Sequence, residues 1–386
     1  MFIDIDCSQE KKHKQHTYGD FFISRRYQDF GRLIAVLSDG LGSGVKANIL
    51  ATMTATMLLK FVKADSDIGK SCEIIMNALP VCKVRKISYS TFSVFDCSDD
   101  GEVTIVEEGN PQFVWIREGY VLQPDSTVIT SKAFPNRHMR IYKISLEKFD
   151  RLLFCSDGVT QAGLGNPQFK LGLRRSGLID LVLKEIAHDP LISSRELAQQ
   201  VVRYALQIEV EQQAHDDISA VSVYCRDPRE ALVFTGPPYY ADKDGFYANI
   251  FKNFKGDKAI CGGTTANLIS RELGIPIENK FSLNNGSLPA LSYMQGIDLV
   301  TEGILTLSKA VEYLEKNETT ADDAAGHLVR FFLNNDCVNF MVGAKINQAH
   351  YDPRFPVEIE VRKTVVKKIA KLLEEKYLKK VLIQYM

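Results

Sequence analysis

The sequence predicts two folds in tandem: an α+β domain built on antiparallel sheets over residues 1–226, then a smaller α/β domain over 231–386. Three observations carry this reading. Up to residue 226, strand-like runs follow one another across tight turn signals, and helical stretches come in pairs, which argues against a Rossmann sheet there. Asp227-Pro228-Arg229 reads as a linker. Beyond it, strand-like and helix-like stretches alternate, the pattern of a mainly parallel sheet with crossover helices. A length of 386 residues also favours two domains over one.

Residues 1–9 alternate as a first strand, and the polar run Lys11–His16 is a loop. Tyr18–Ser24 turns into a second strand with Asp20 at its start, and Arg32–Ser38 is the next, close enough for a hairpin. That strand ends in Asp39-Gly40-Leu41-Gly42-Ser43-Gly44, where glycines let the backbone come close to whatever the acid faces. A helix is expected over Val45–Val62. Its apolar stripe is Val45, Ile49, Leu50, Met53, Met57, Leu58 and Phe61, with small residues such as Ala47 and Ala51 elsewhere. A second helix is expected over Ile68–Leu79, stopped by Pro80. Strands follow at Ser88–Cys97, Glu102–Glu108 and Gln112–Arg117, separated by the turns Asp99-Asp100-Gly101 and Gly109-Asn110-Pro111. Two more lie at Arg140–Ile144 and Arg151–Cys155, the second running into Ser156-Asp157-Gly158. Helices at Leu178–Ala187 and Ser194–Val210, the latter capped by Ser193 or Ser194, precede a last strand, Ile218–Cys225, opened by His215-Asp216-Asp217.

In the second domain the strands are expected at Ala231–Thr235, Lys258–Cys261, Asp298–Thr301, Cys337–Ile346 and Lys380–Tyr385. The helices are expected at Asp244–Phe254, Thr264–Leu273, Ile304–Lys316, Ala321–Leu333 and Val357–Tyr377.

Composition excludes several function classes. A net charge of -1 without a basic block argues against nucleic acid. No apolar run approaches the ~20 residues that span a bilayer, so no membrane partner is expected. The N-terminus lacks a signal peptide's layout. The eight cysteines show no C-x-x-C spacing and read as reduced, buried thiols of a cytoplasmic protein.

Four acids sit at strand ends: Asp20, Asp39, Asp157 and Asp216. Strands lying side by side in two sheets would gather them at one edge. Their like charges would then repel and raise one another's pKa unless cations neutralised them. Oxygen ligands suit hard divalent ions, two Mn²⁺ or Mg²⁺. Such a pair, ~3.5–4 Å apart, can share a water, lower its pKa and aim it at phosphorus.

Gly19-Asp20, the loop from Asp39 to Ala47, Leu153–Ala162 with its central Ser156-Asp157-Gly158, and His215-Asp216-Asp217-Ile218-Ser219 stand in fixed order. In that order and context the sequence resembles the metal-dependent serine/threonine phosphatases of the type 2C superfamily, in particular the bacterial stage II sporulation E branch, over residues 1–226. The resemblance implies a β-sandwich of two antiparallel sheets flanked by helix pairs. It implies that Asp39 bridges both metals with the Gly40 carbonyl on one, that Asp20 serves one metal and Asp157 and Asp216 the other, and that Asp217 is auxiliary. Asn110-Pro111 matches a turn of the family and carries no catalytic role. Relatives elsewhere in the superfamily hold the substrate phosphate with an N-terminal Arg; no motif assigns Arg25 or Arg26 to it. The implied substrate is a phosphoserine or phosphothreonine on a bacterial regulatory protein of the anti-sigma-factor antagonist type. In that branch the helix pair after the Asp39 loop is a regulatory switch, which the resemblance would place at Val45–Val62 and Ile68–Leu79. A rival reading is a phosphatase-like scaffold that binds without hydrolysis.

In the second domain, Gly262-Gly263-Thr264-Thr265 follows a strand and opens a helix, a cradle for an anion, although Thr264 or Thr265 as a helix cap explains the same residues. It matches neither a Walker nor a dinucleotide fingerprint, and it is loosely similar to sugar-phosphate sensor domains. The turns Asp298–Gly303 and Val342–Lys345 would join it at one crevice. A sensor for a small phosphorylated ligand and a plain docking module both fit.

Overall fold

The computed structural model describes residues 1–64, 70–71, 73–74, 90–130, 137–279, 291–344 and 355–386. The helix expected over Ile68–Leu79 lies largely outside the described residues, as do Lys345 and Ile346. The chain divides into two compact units, Met1–Asp227 and Pro228–Met386.

The first unit is a sandwich of two antiparallel sheets. One runs in the order β1 (Phe2–Glu10), β11 (Ile218–Arg226), β10 (Arg151–Cys155), β6 (Val114–Arg117), β7 (Tyr120–Leu122). The other runs β2 (Asp20–Tyr27), β3 (Arg32–Gly40), β4 (Ser90–Ser98), β5 (Glu102–Glu108), β9 (His138–Ser145), β8 (Ser126–Thr130). Between them Phe113 stacks on Phe154 with ring centres 5.6 Å apart and meets Tyr142 edge-on at 5.0 Å.

Helices cover the outer faces. On the second sheet lies α1 (Gly44–Ala64); the first carries α3 (Arg174–His188) and α4 (Ser194–Ile208), while a short turn of helix, α2 (Asp157–Thr160), follows β10. The Ser193 hydroxyl caps α4 in a full capping box with Glu196.

The face of α1 differs from the sequence reading. Ala47, Ala51, Thr54, Ala55, Leu58, Leu59 and Val62 are buried, whereas Val45, Ile49, Met53 and Phe61 are 64, 51, 54 and 40% exposed. The reason is close approach. A Cβ added to Gly40 would stand 2.1 Å from the Ala47 carbonyl oxygen, so only small side chains fit between helix and strand tip. Among the described residues α1 is also the one helix that meets the length and mean-hydropathy requirement for a membrane span, which the search for a continuous apolar run missed. Its Ala and Met residues raise the mean without forming a continuous apolar run, and its inner face belongs to the sheet core with Ile34, Val36 and Phe92.

The second unit is a seven-stranded sheet, β14 (Glu278–Asn279), β15 (Ser292–Met294), β16 (Ile297–Thr301), β13 (Asp257–Cys261), β12 (Glu230–Thr235), β17 (Cys337–Val342), β18 (Lys380–Tyr385). The five strands from β16 to β18 are parallel, and β14 and β15 add an antiparallel edge. The chain leaves β12 toward β13 and β16, then returns to the other side of β12 for β17 and β18. On one face α5 (Asp244–Asn253) and α6 (Gly263–Leu273) cover Leu232, Phe234 and Ile260; on the other α7 (Ile304–Lys316), α8 (Ala324–Asn334) and α9 (Phe355–Glu375) cover Ala231, Val233 and Phe340.

Candidate functional site

The register of the sandwich decides where the acids go. On β3, Ile34 and Val36 face α1, so Leu33, Ala35, Leu37 and Asp39 share the inner face. Asp20 is the direct cross-strand partner of Asp39. On the opposite sheet Leu153, Cys155, Ile218 and Ala220 face the outer helices, so Ser156 and Ser219 point inward. Asp157 follows β10 and Asp216 precedes its neighbour β11.

The four carboxyls meet at this edge. Asp39 feels the charges of Asp20, Asp157 and Asp216, and it is in hydrogen-bonding contact with Asp20 and Asp157. Burial first, then the neighbouring carboxylates, pushes the Asp39 carboxyl far above the usual range. Burial likewise raises Asp20, which is only 2% exposed, and burial with the Asp216 charge raises Asp157. Among the described residues no three His, Cys, Asp or Glu side chains stand, as placed, in a ready-made ligand shell. What the fold supplies is an all-oxygen donor set, buried and mutually repelling. That set fits hard divalent cations, whose charge would reverse the repulsion.

Residues without a role in the sequence reading hold the set in place. The Ser219 hydroxyl donates to Asp20 Oδ2 at 2.6 Å, and the Ser156 hydroxyl, which accepts the Ser219 N–H, donates to the Asp217 carbonyl. Gln161 Nε2 donates to Asp157 Oδ2 at 2.8 Å. Lys12, read as part of a solvated loop, has its Nζ 3.8 Å from Asp216 Oδ1, and its backbone N–H donates to Asp217 Oδ1. No spacing signal marks Ser219 or Lys12, because their contacts join segments far apart in the chain, whereas Gln161 is only four residues from Asp157. Asp217 is 4% exposed and packs against Gly19, where an added Cβ would stand 2.5 Å from its Oδ2, so it joins the Lys12 loop to the turn before Asp20. Gly40 is buried, and its N–H donates to the Gly19 carbonyl.

Asn110 accepts from the Thr91 hydroxyl and donates to Ser93, which pins its turn onto β4. Arg26 donates to the Ile3 carbonyl and lies over the Phe2 ring. Beneath the turn, Glu107 Oε1 accepts from the Phe113 N–H, while its buried Oε2 has no partner; burial pushes this carboxyl up to about 8.

In the second unit neither Thr264 nor Thr265 caps a helix. Helix α6 begins at Gly263, its N-cap is Gly262 at φ 130°, and no side chain caps it. The Thr265 hydroxyl instead accepts the Gly236 N–H at 2.8 Å. Gly262 and Gly263 line an open cavity at the carboxyl ends of β12, β13 and β16.

Comparison with known proteins gives one family. The chain matches the family described as Stage II sporulation protein E (SpoIIE) over residues 29–226, half of its length. Among solved structures it is similar to the PP2C phosphatase domain with a regulatory fragment of the cell fate determinant SpoIIE from Bacillus subtilis, at 18% identity and TM-score 0.47, covering 58% of this chain and 63% of that one. It is similar to the RsbU and RsbW domains of a Mycobacterium tuberculosis protein, at 16% identity and TM-score 0.48, covering 64% and 67%. It is also similar to RsbX in complex with magnesium, at 16% identity and TM-score 0.40, covering 57% and 94%. No curated protein matches the chain.

Proposed function

This chain belongs to the stage II sporulation protein E family, and from that premise we propose that it is a metal-dependent protein serine/threonine phosphatase acting in the cytoplasm. The observation that carries the reading is the meeting of Asp20, Asp39, Asp157 and Asp216 at one edge of the sandwich. Asp39, central among them, would bridge two Mn²⁺ or Mg²⁺ ions with the Gly40 carbonyl beside it. Asp20 would serve one ion; Asp157 and Asp216 would serve the other. Bound there, the ions would supply a water of lowered pKa and neutralise charge on the transferring phosphoryl group.

The chain's own residues prepare that centre. Ser219 fixes Asp20 from across the sandwich, with Ser156 bonded to the Ser219 N–H behind it, and Gln161 orients Asp157. Lys12 stands beside Asp216, the most accessible acid of the set. No arginine is assigned to the substrate phosphate, so positioning falls to the substrate's own surface. That suits a folded, phosphorylated regulatory protein, of the anti-sigma-factor antagonist type, better than a free small phosphoester.

The test is Mn²⁺-dependent hydrolysis of a chromogenic phosphoester and a phosphoserine peptide by the intact chain, beside Asp39→Asn and Asp157→Asn. The expected result is turnover that needs metal and is lost in both variants. Equal turnover in all three proteins would refute the assignment.

A further inference from the structure

The second unit carries a crevice that the phosphatase reading does not use. Its parallel strands reverse direction of addition at β12, with β13 and β16 on one side and β17 and β18 on the other. In an open parallel sheet, ligands collect at the carboxyl ends of the strands beside such a reversal. Here that place is occupied by Gly236 and Gly343. A Cβ on Gly343 would strike the Gly236 and Pro237 carbonyl oxygens at 2.1 Å, so the two strand ends touch backbone to backbone.

A cavity opens on each side of this contact. The first, about 370 Å³, is walled by Gly236, by Gly262 and Gly263 at the start of α6, by Gly303 and Ile304 at the start of α7, and by Arg362 of α9. A Cβ added to Gly303 would come within 3.6 Å of the Gly262 Cα, and both glycines wall the cavity, so two helix N-termini share one mouth. Their unsatisfied N–H groups and the guanidinium all favour an anion. A second sign is independent of the helices. The hydroxyls of Thr235 and Thr306 are fully buried and have no partner. Thr235 immediately precedes Gly236, on the α7–α9 face of the sheet that it shares with Ala231 and Val233. Thr306 follows Leu305 in the first turn of α7. Each orphan donor stands one residue along the chain from a residue that walls the cavity, Gly236 and Leu305.

The second cavity, about 330 Å³, is lined by Tyr239, Tyr240, Tyr247 and Tyr385 with Lys243 and Lys363. Neighbouring positions divide between the two cavities: Gly236 and Pro238, Arg362 and Lys363. One cavity offers N–H donors and a cation, the other exposed aromatic rings and two cations. Glu302, on the rim of the first, is an acceptor for hydroxyl groups.

We propose that the second unit binds a nucleotide across this crevice, the phosphate held by the starts of α6 and α7 with Arg362, and the base lying against the tyrosines. The ligand class follows from the pairing: an anion cradle, an acceptor for a sugar hydroxyl and a stacking surface.

The experiment is thermal denaturation and calorimetric titration of the intact chain in EDTA, which keeps divalent ions out of the first unit. The probes are AMP, ADP, GMP, adenosine, glucose 6-phosphate and inorganic phosphate. At about 100-fold above its Kd a bound nucleotide should raise Tm by about 5 °C, with adenosine, glucose 6-phosphate and phosphate each at least about tenfold weaker. Gly263→Asp places a carboxylate where a Cβ meets nothing within 4 Å. An acid in a helix's first turn favours the helix, so the variant should stay folded while losing the nucleotide shift. Arg362→Gln should weaken binding about tenfold, and Tyr240→Ser should weaken nucleotides but not phosphate. No shift from any of the nucleotides, a shift that persists in Gly263→Asp, or adenosine binding as tightly as AMP would each overturn the proposal. None of these readouts depends on hydrolysis, so the phosphatase reading stands or falls separately.

Discussion

The two units place their chemistry at strand ends, yet with opposite polarity. In the sandwich, antiparallel neighbours bring a strand start, Asp20, beside a strand end, Asp39, and add Asp157 and Asp216 from the facing sheet. Side chains from four segments make the site, and all are acceptors. In the second unit the parallel strands send every carboxyl end to one edge, where glycines and helix starts present backbone N–H donors. On the readings proposed above, topology selects the partner: the antiparallel edge would hold cations with carboxylates, and the parallel edge would hold an anion with backbone.

The largest expected effect breaks the acidic side of this contrast. Asp39→Asn should lower Mn²⁺-dependent hydrolysis by at least about 10²-fold. The same change should raise Tm in EDTA at neutral pH, because Asn is neutral without taking up the proton that burial and the neighbouring carboxylates force onto Asp39. A variant that lost activity and also lost metal-free stability would show that Asp39 is structural. Next comes a matched glycine pair. Gly40→Ala should cost about 2–3 kcal/mol in chemical denaturation, because the new methyl meets the Ala47 carbonyl. Gly263→Ala, with open space around it, should stay within about 0.5 kcal/mol of the parent.

A smaller effect concerns pH. Glu107 is raised from 4.5 to about 8 by burial, so the folded state holds its proton more tightly than the unfolded chain does. Its contribution to stability is whole below about 4.5 and is lost as pH rises through about 8. Glu107→Gln should flatten the fall in Tm across that window. The smallest effect is Ser193→Ala, which removes the capping box of α4 and should cost about 1 kcal/mol.

Much of this was legible beforehand, for identifiable reasons. The unbroken apolar run Leu33–Leu37 and the turn signals after β4 and β5 gave the meander, because one face of β3 lies between the sheets and the other packs on α1. The alternating strands and helices after residue 230 gave the parallel sheet. What failed was the inner face of α1. Periodicity ranks residues by hydrophobicity, whereas this interface selects for small size, so Ala47 and Ala51 face inward while Ile49 and Met53 face out. Strands β7 and β8 were missed because they carry no buried residue to set a period. The supports of the acid cluster, Ser219 and Lys12, were invisible for another reason: they act across the sandwich, at separations no local pattern encodes. Thr265 was misread as a cap because its hydroxyl serves a neighbouring strand end rather than its own helix.

The buried sulfurs of the two units offer a clock for each. Cys155 sits in the core of the first unit, and Cys261 lies under the anion cavity of the second, each at most 2% exposed and each with its thiol pushed up by burial. Neither can meet an alkylating reagent until its own surroundings open. Site-resolved alkylation followed over hours would time the breathing of each unit within one chain. A guest lodged above Cys261 would slow that sulfur alone.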